Sequence, residues 1–213
     1  CSALRVLYLQ EEVADPILTM LTGALNTYHI GDPIKLETDI GPVIDEPSRH
    51  RLLAHIDNMT KAHRLIGNLP LRKEHQTGYF VPPHIFEIES LGQLPEEVFG
   101  PILHVIRYRS EEIDSVIEQI NQSGFGLTLG VHSRIDAFAD YIVKHTLVGN
   151  TYINRNMVGA VVGTHPFGGC GLSGTGPKAG GPHYLFGFAT EKTRTENITA
   201  KGGNTTLFRL TGD

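Results

Sequence analysis

Between residues 102 and 154, short runs of strand-forming residues alternate with segments of helical period, and this alternation constrains the fold more than any other property of the sequence. Strands are expected over 102–108, 127–132 and 148–154, and helices over 111–121 and 135–146, where apolar residues recur every three or four positions. A strand, helix, strand order favours parallel pairing with crossover helices, because parallel neighbours cannot be joined by a tight hairpin. The expected fold class is α/β: a mostly parallel open sheet with crossover helices, followed by an irregular C-terminal tail.

The rest of the chain reads in the same terms. A strand is expected over 4–9, then a helix opening at Asp15-Pro16 with Ile17, Leu21, Ala24, Leu25 and Tyr28 on one face, stopped by Gly31-Asp32-Pro33. A second helix is expected over 47–64, with Ser48 near its start and Leu52, Ile56, Met59 and His63 along one stripe, and a strand over 79–88. Glycines crowd residues 159–182, a composition suited to neither helix nor ordinary strand, so one long ordered loop is expected there. From about residue 192 onward Thr, Asn and Gly dominate, which reads as loop or frayed strand. With 213 residues and 40% hydrophobic content, one sizeable core is expected: a unit over 1–190 and a tail over 191–213.

A net charge of -5, spread along the chain without a run of like charges, gives no footprint for nucleic acid or anionic lipid. No apolar stretch is long enough to span a bilayer and the start lacks a signal-peptide pattern, so no membrane contact and a cytoplasmic setting are expected. The two cysteines, Cys1 and Cys170, form no disulfide framework and suit a reducing compartment. Because residue 1 is Cys rather than Met, a fragment or processed product is expected.

Residues 169–174 fit G-x-G-x-x-G, yet that fingerprint needs a strand before it and a helix after it. Pro166-Phe167 precedes it and Gly176-Pro177 follows, so a dinucleotide site is not expected there. The 11 histidines show no metal-ligand spacing, and no metal site is expected. A lone Cys is ordinarily a small buried hydrophobe, whereas catalysis by Cys1 would need a stabilised thiolate.

Three blocks in order give these residues a context. Cys1-Ser2-Ala3, Pro95-Glu96-Glu97-Val98-Phe99-Gly100-Pro101, and Pro166-Phe167-Gly168-Gly169 with Gly171-Leu172-Ser173-Gly174 resemble the nucleophile segment, the cofactor block and the late glycine loop of the aldehyde dehydrogenase superfamily. Residues 154–163 and 176–182 resemble its proline-catabolic branch, the glutamate semialdehyde (delta-1-pyrroline-5-carboxylate) dehydrogenases, and in particular the C-terminal part of the bifunctional proline utilisation flavoproteins.

The resemblance implies an aldehyde dehydrogenase catalytic domain with Cys1 as nucleophile, forming a thiohemiacetal and then a thioester as L-glutamate semialdehyde is oxidised to L-glutamate. It implies NAD as cofactor, with Glu97 on the nicotinamide ribose and Phe99 against the nicotinamide end. Gly159 and Ala160 would offer backbone N–H groups to the substrate carboxylate, Ser2 a hydroxyl, and Phe167 a surface for the aliphatic part. Ala160 departs from the Ser often found there in monofunctional members. The family's Rossmann domain, general base and oxyanion amide precede the cysteine, so the upstream NAD-binding domain is an implied partner and the isolated chain is expected to be inactive. A homo-oligomer is implied, as is FAD in an upstream proline dehydrogenase domain, with the parent peripheral to the inner membrane through another domain. Two other readings stay open: an N-terminal cysteine nucleophile hydrolase using its own α-amine as base, and a non-enzymatic oligomerisation module.

Overall fold

The structure, a computed structural model, describes residues 1–202; the expectation of loop or frayed strand over 203–213 lies outside them. Four strands form the main sheet: β1 (Val6–Gln10), β2 (Arg64–Asn68), β3 (His84–Ile88) and β4 (Ile102–Tyr108). Their spatial order is β1-β4-β3-β2, with β1 parallel to β4, β4 parallel to β3, and β2 antiparallel on the edge.

Helices α1 (Glu11–Leu25) and α2 (Glu46–Ala62) each supply an apolar face to this sheet. The period of two along the strands sorts the core into two clusters. Leu9, Ile85 and Val105 pack with Ala14, Leu18 and Leu25 of α1. Phe86, Ile88, Ile102 and Ile106 pack with Leu52 and Met59 of α2, where Val6 and Tyr8 join them. Sheet residues buried on both faces explain why the 102–108 run is almost continuously apolar.

Helix α2 begins where the sequence suggests, because the Asp45 carboxylate accepts the Ser48 amide at 2.8 Å and Pro47 lies in the first turn, where its missing N–H costs nothing. Helix α1 departs from expectation. It starts at Glu11, with Glu11 and Glu12 in the first turn, and carries Pro16 inside. It ends at Leu25, so Tyr28 lies beyond it and is exposed, and the buried stripe is Ala14, Leu18 and Leu25. Strand β2 is unexpected: it begins at Arg64, the last residue of the run expected as the second helix, and continues through residues 65–68, for which no element is expected. His63 takes an extended conformation, α2 stops, and Arg64 pairs across the sheet with Glu87 at 3.1 Å.

The second half places α3 (Ile113–Gln122) and α4 (Asp136–His145) beside a separate two-stranded parallel sheet of β6 (Thr128–Val131) and β7 (Asn150–Ile153). Helix α4 is the crossover between those two strands, and Ile117, Val131, Ala139 and Ile142 form the core beneath them. The glycine-rich stretch is a loop as expected, except that β8 (Cys170–Gly171) pairs antiparallel with β5 (Phe125–Gly126).

Candidate active site

A cavity of about 770 Å³ opens between the start of β1, the connection from β3 to β4, and the β5–β6 region. Cys1, Arg5, Glu97, Phe99, His104 and Met157 lie on its wall. Cys1 is exposed, with its thiol free and 3.9 Å from the Ser2 hydroxyl; Ser2 itself is buried.

Local packing aims the 89–101 connection at the cavity. A 3₁₀ turn at Leu91–Gln93 is closed by the Gln93 side-chain oxygen, which accepts the Glu89 amide at 2.8 Å. Leu91, Leu94 and Val98 then pack on the α2-side cluster, and a Cβ on Gly100 would come within 2.6 Å of Leu52, so backbone and helix meet closely there. With Val98 turned inward, Glu97 and Phe99 face out, and the Phe99 ring is 61% exposed.

Charge in the cavity centres on Arg5, whose guanidinium lies 3.4 Å from the Glu97 carboxylate and 5.5 Å from the centroid of the Phe125 ring. The Arg5 carbonyl accepts from the His104 backbone amide at 3.0 Å and lies 3.3 Å from His104 Nδ1. His104 Nε2 is 2.9 Å from His55 Nε2 on α2. Burial pushes His104 down to about 4 and lowers His55 as well. Burial also pushes the Tyr8 phenol up to about 12; its hydroxyl is buried without a hydrogen-bond partner among the described residues. Sequence reasoning missed Arg5, His55 and His104. The available signal was a cation in an otherwise apolar strand and an imidazole at a core-facing position of β4.

The loop after β7 departs from Asn154, held at φ 53° because its side chain accepts the Ser133 amide at 2.9 Å and donates to the Ser133 carbonyl at 2.7 Å. It reaches the cavity wall through Met157. Gly159 follows, exposed at φ +74°, a conformation L side chains rarely adopt, with half-buried Ala160 beside it. Phe167 is half-buried and exchanges two backbone hydrogen bonds with Ala179, at 3.0 and 2.9 Å. The structure thus brings Cys1, Glu97 and Phe99 onto one cavity, keeps Ser2 behind Cys1, and leaves Gly159, Ala160 and Phe167 outside the wall-forming set.

Residues 169–174 serve packing. The Gly126 amide donates to Ser173 Oγ at 3.1 Å, and a Cβ on Gly171 would meet the Gly124 carbonyl at 2.5 Å. The G-x-G-x-x-G spacing therefore reflects backbone approaching backbone, and no α-helix follows it among the described residues. Among the described residues, no group of three or more His, Cys, Asp or Glu side chains is placed to hold a metal, and no helix is long and apolar enough to cross a membrane.

Residues 1–194 match the profile described as the aldehyde dehydrogenase family. This chain belongs to that family. It is 55% identical over 191 residues to the bifunctional protein PutA of Klebsiella aerogenes, covering 87% of this chain and 15% of the relative. It is 35% identical over 200 residues to 1-pyrroline-5-carboxylate dehydrogenase 1 of Halalkalibacterium halodurans, covering 92% and 38%. Among solved structures, a proline utilization A (PutA) mutant from Bradyrhizobium japonicum superposes with a TM-score of 0.88 at 56% identity, over 95% of this chain and 20% of that one. A 1-pyrroline-5-carboxylate dehydrogenase from Thermus with bound NAD superposes at 0.76 with 32% identity, over 87% and 36%. The chain therefore spans well under half the length of these relatives, and the aldehyde dehydrogenase fold with its parallel sheet is shared with them.

Proposed function

We propose that this chain is the nucleophile-bearing, C-terminal part of an NAD-dependent glutamate semialdehyde dehydrogenase, acting in proline catabolism as part of a longer PutA-like polypeptide. Residues 1–190 form the catalytic portion and 191–213 a tail. The observation that carries this reading is the meeting of the exposed Cys1 thiol with Glu97 and Phe99 on one cavity, within a chain that belongs to the family.

Those residues fit the cofactor. Among the described residues, Glu97 has only Arg5 as ion-pair partner, its side chain is 40% exposed, and its carboxylate keeps lone pairs for ribose hydroxyls. Phe99 offers an open apolar face to the nicotinamide end. Bound NAD supplies the hydride acceptor, with the cofactor's other contacts coming from the upstream domain. The Cys1 thiolate attacks the aldehyde carbon, and the Cys1 backbone N–H meets the developing oxyanion. Loss of one such donor costs about 10²- to 10³-fold in turnover. The family resemblance assigns the substrate carboxylate to backbone N–H groups at Gly159 and Ala160 and to the Ser2 hydroxyl, and its methylenes to Phe167; Ser2 and Gly159 lie close to the wall residues Cys1 and Met157 along the chain rather than lining the wall themselves.

The test is made on the complete reading frame that contains this chain. Cys1→Ala is expected to abolish NADH formation from glutamate semialdehyde while leaving NAD binding intact. Near-normal turnover by that variant would overturn the reading. The isolated chain is expected to form no NADH, and a clear rate from it would remove the need for an upstream domain.

A further inference from the structure

We propose that His55 and His104 form a positioning pair that fixes the backbone of Arg5, and through it both the segment carrying Cys1 and the carboxylate of Glu97. This deepens the preceding reading and rests on it only where Glu97 is taken to meet NAD.

The hydrogen-bond chain has one consistent set of protons. A carbonyl oxygen can only accept, so His104 Nδ1 carries the hydrogen that faces Arg5 O. In the neutral ring Nε2 is then a lone pair, and at 2.9 Å it must receive the Nε2 hydrogen of His55. The order of donation is His55 to His104 to Arg5 O. Burial keeps His104 neutral down to about pH 4, which preserves this polarity at working pH. The groups acting on the pair are Glu96, which favours a charged His55, the Arg5 carbonyl, which favours a charged His104, and His63 and the Arg5 guanidinium, which oppose charge.

Packing alone does not account for two imidazoles here. His104 is 1% exposed on the face of β4 that meets α2, among Ile102, Ile106 and Leu52, where an aliphatic side chain would bury apolar area without desolvating ring nitrogens. The imidazoles instead add a second donor to the Arg5 carbonyl, which already receives the His104 amide at 3.0 Å. Arg5 is four residues from Cys1, so its backbone sets the line along which the cysteine leaves the sheet. Its guanidinium, lying over Phe125 and against Glu97, carries the same constraint across the cavity. His55 and His104 touch neither thiol nor carboxylate and act through Arg5.

Two readouts that need no turnover test this in the complete reading frame: the rate of Cys1 alkylation by iodoacetamide and the Kd for NAD. His104→Leu removes the donor, and is expected to change the alkylation rate at least fivefold and to weaken NAD about tenfold. His104→Asn keeps an N–H near the Nδ1 position and should recover most of both. In a Glu97→Gln background, His104→Leu should add little further loss of NAD affinity. Should His104→Leu fail to fold, His55→Leu takes its place, with His55→Gln, which retains the donor to His104 Nε2, as the rescuing change. A folded leucine variant within twofold of wild type in both readouts overturns the proposal, and so does equal loss from the leucine and rescuing variants. If Glu97→Gln leaves NAD affinity unchanged, the role given to Glu97 fails, and the alkylation rate alone decides the positioning role.

Discussion

Gly149 shows how tightly single residues hold the site's frame. A Cβ there would sit 1.9 Å from the Gly168 carbonyl, at the point where Asn150 ties down the late loop by donating to Pro166 O at 2.9 Å and accepting the Gly168 amide at 3.2 Å. The Lys178 ammonium donates to the Gly149 carbonyl as well, and to Asn150 Oδ1 at 3.2 Å. Gly149→Ala is therefore expected to lower stability by about 3 kcal/mol, the upper end for forced overpacking, as read from the midpoint of urea unfolding. Phe167 lies inside the same clasp. If it packs on the substrate as proposed, Phe167→Ala should raise KM for glutamate semialdehyde about tenfold and affect a short uncharged aldehyde much less, a comparison made by steady-state kinetics.

At the scale of elements, the two flanking helices and the four-stranded sheet owe their cohesion to side chains sorted by strand period. Phe86, fully buried on the α2 side of a central strand, is the largest of these. Phe86→Ala is expected to cost about 3 to 5 kcal/mol, a value chemical denaturation would give directly. Much of this layer was legible in the sequence. The strand over 102–108 matches the structure because burial on both faces leaves a nearly continuous apolar run, and the α2 stripe of Leu52, Ile56 and Met59 matches because burial on one face leaves a periodic trace. What escaped was information held in partners distant along the chain. Arg64 extends β2 because Glu87 lies opposite, and α1 absorbs Pro16 because Ala14 and Leu18 are already committed to the sheet. That Cys1 and Glu97 line one cavity is suggested in the sequence by the family blocks and not by periodicity. The His55–His104 contact joins residues 49 positions apart with no local signature.

Over the whole molecule, the buried histidine pair links stability to acid. Burial lowers both His104 and His55 from the ordinary value of 6.5, so protons bind the unfolded chain more readily than the folded one. Stability from the pair is complete above about pH 6.5 and is lost as pH falls toward about 4, the folded value for His104. The loss is on the order of 3 kcal/mol. Thermal unfolding followed between pH 7 and 4.5 should show it, and His104→Leu should flatten the slope; an unchanged slope would show that other groups dominate acid sensitivity.

The pairing of Val6 with His104 also orders events during synthesis. Strand β1 meets its parallel neighbour β4 only after a partner about a hundred residues further along has left the ribosome. Until then its apolar side chains lack their β4 neighbours, so the nascent chain is most open to chaperone capture during that interval, which closes when β4 emerges.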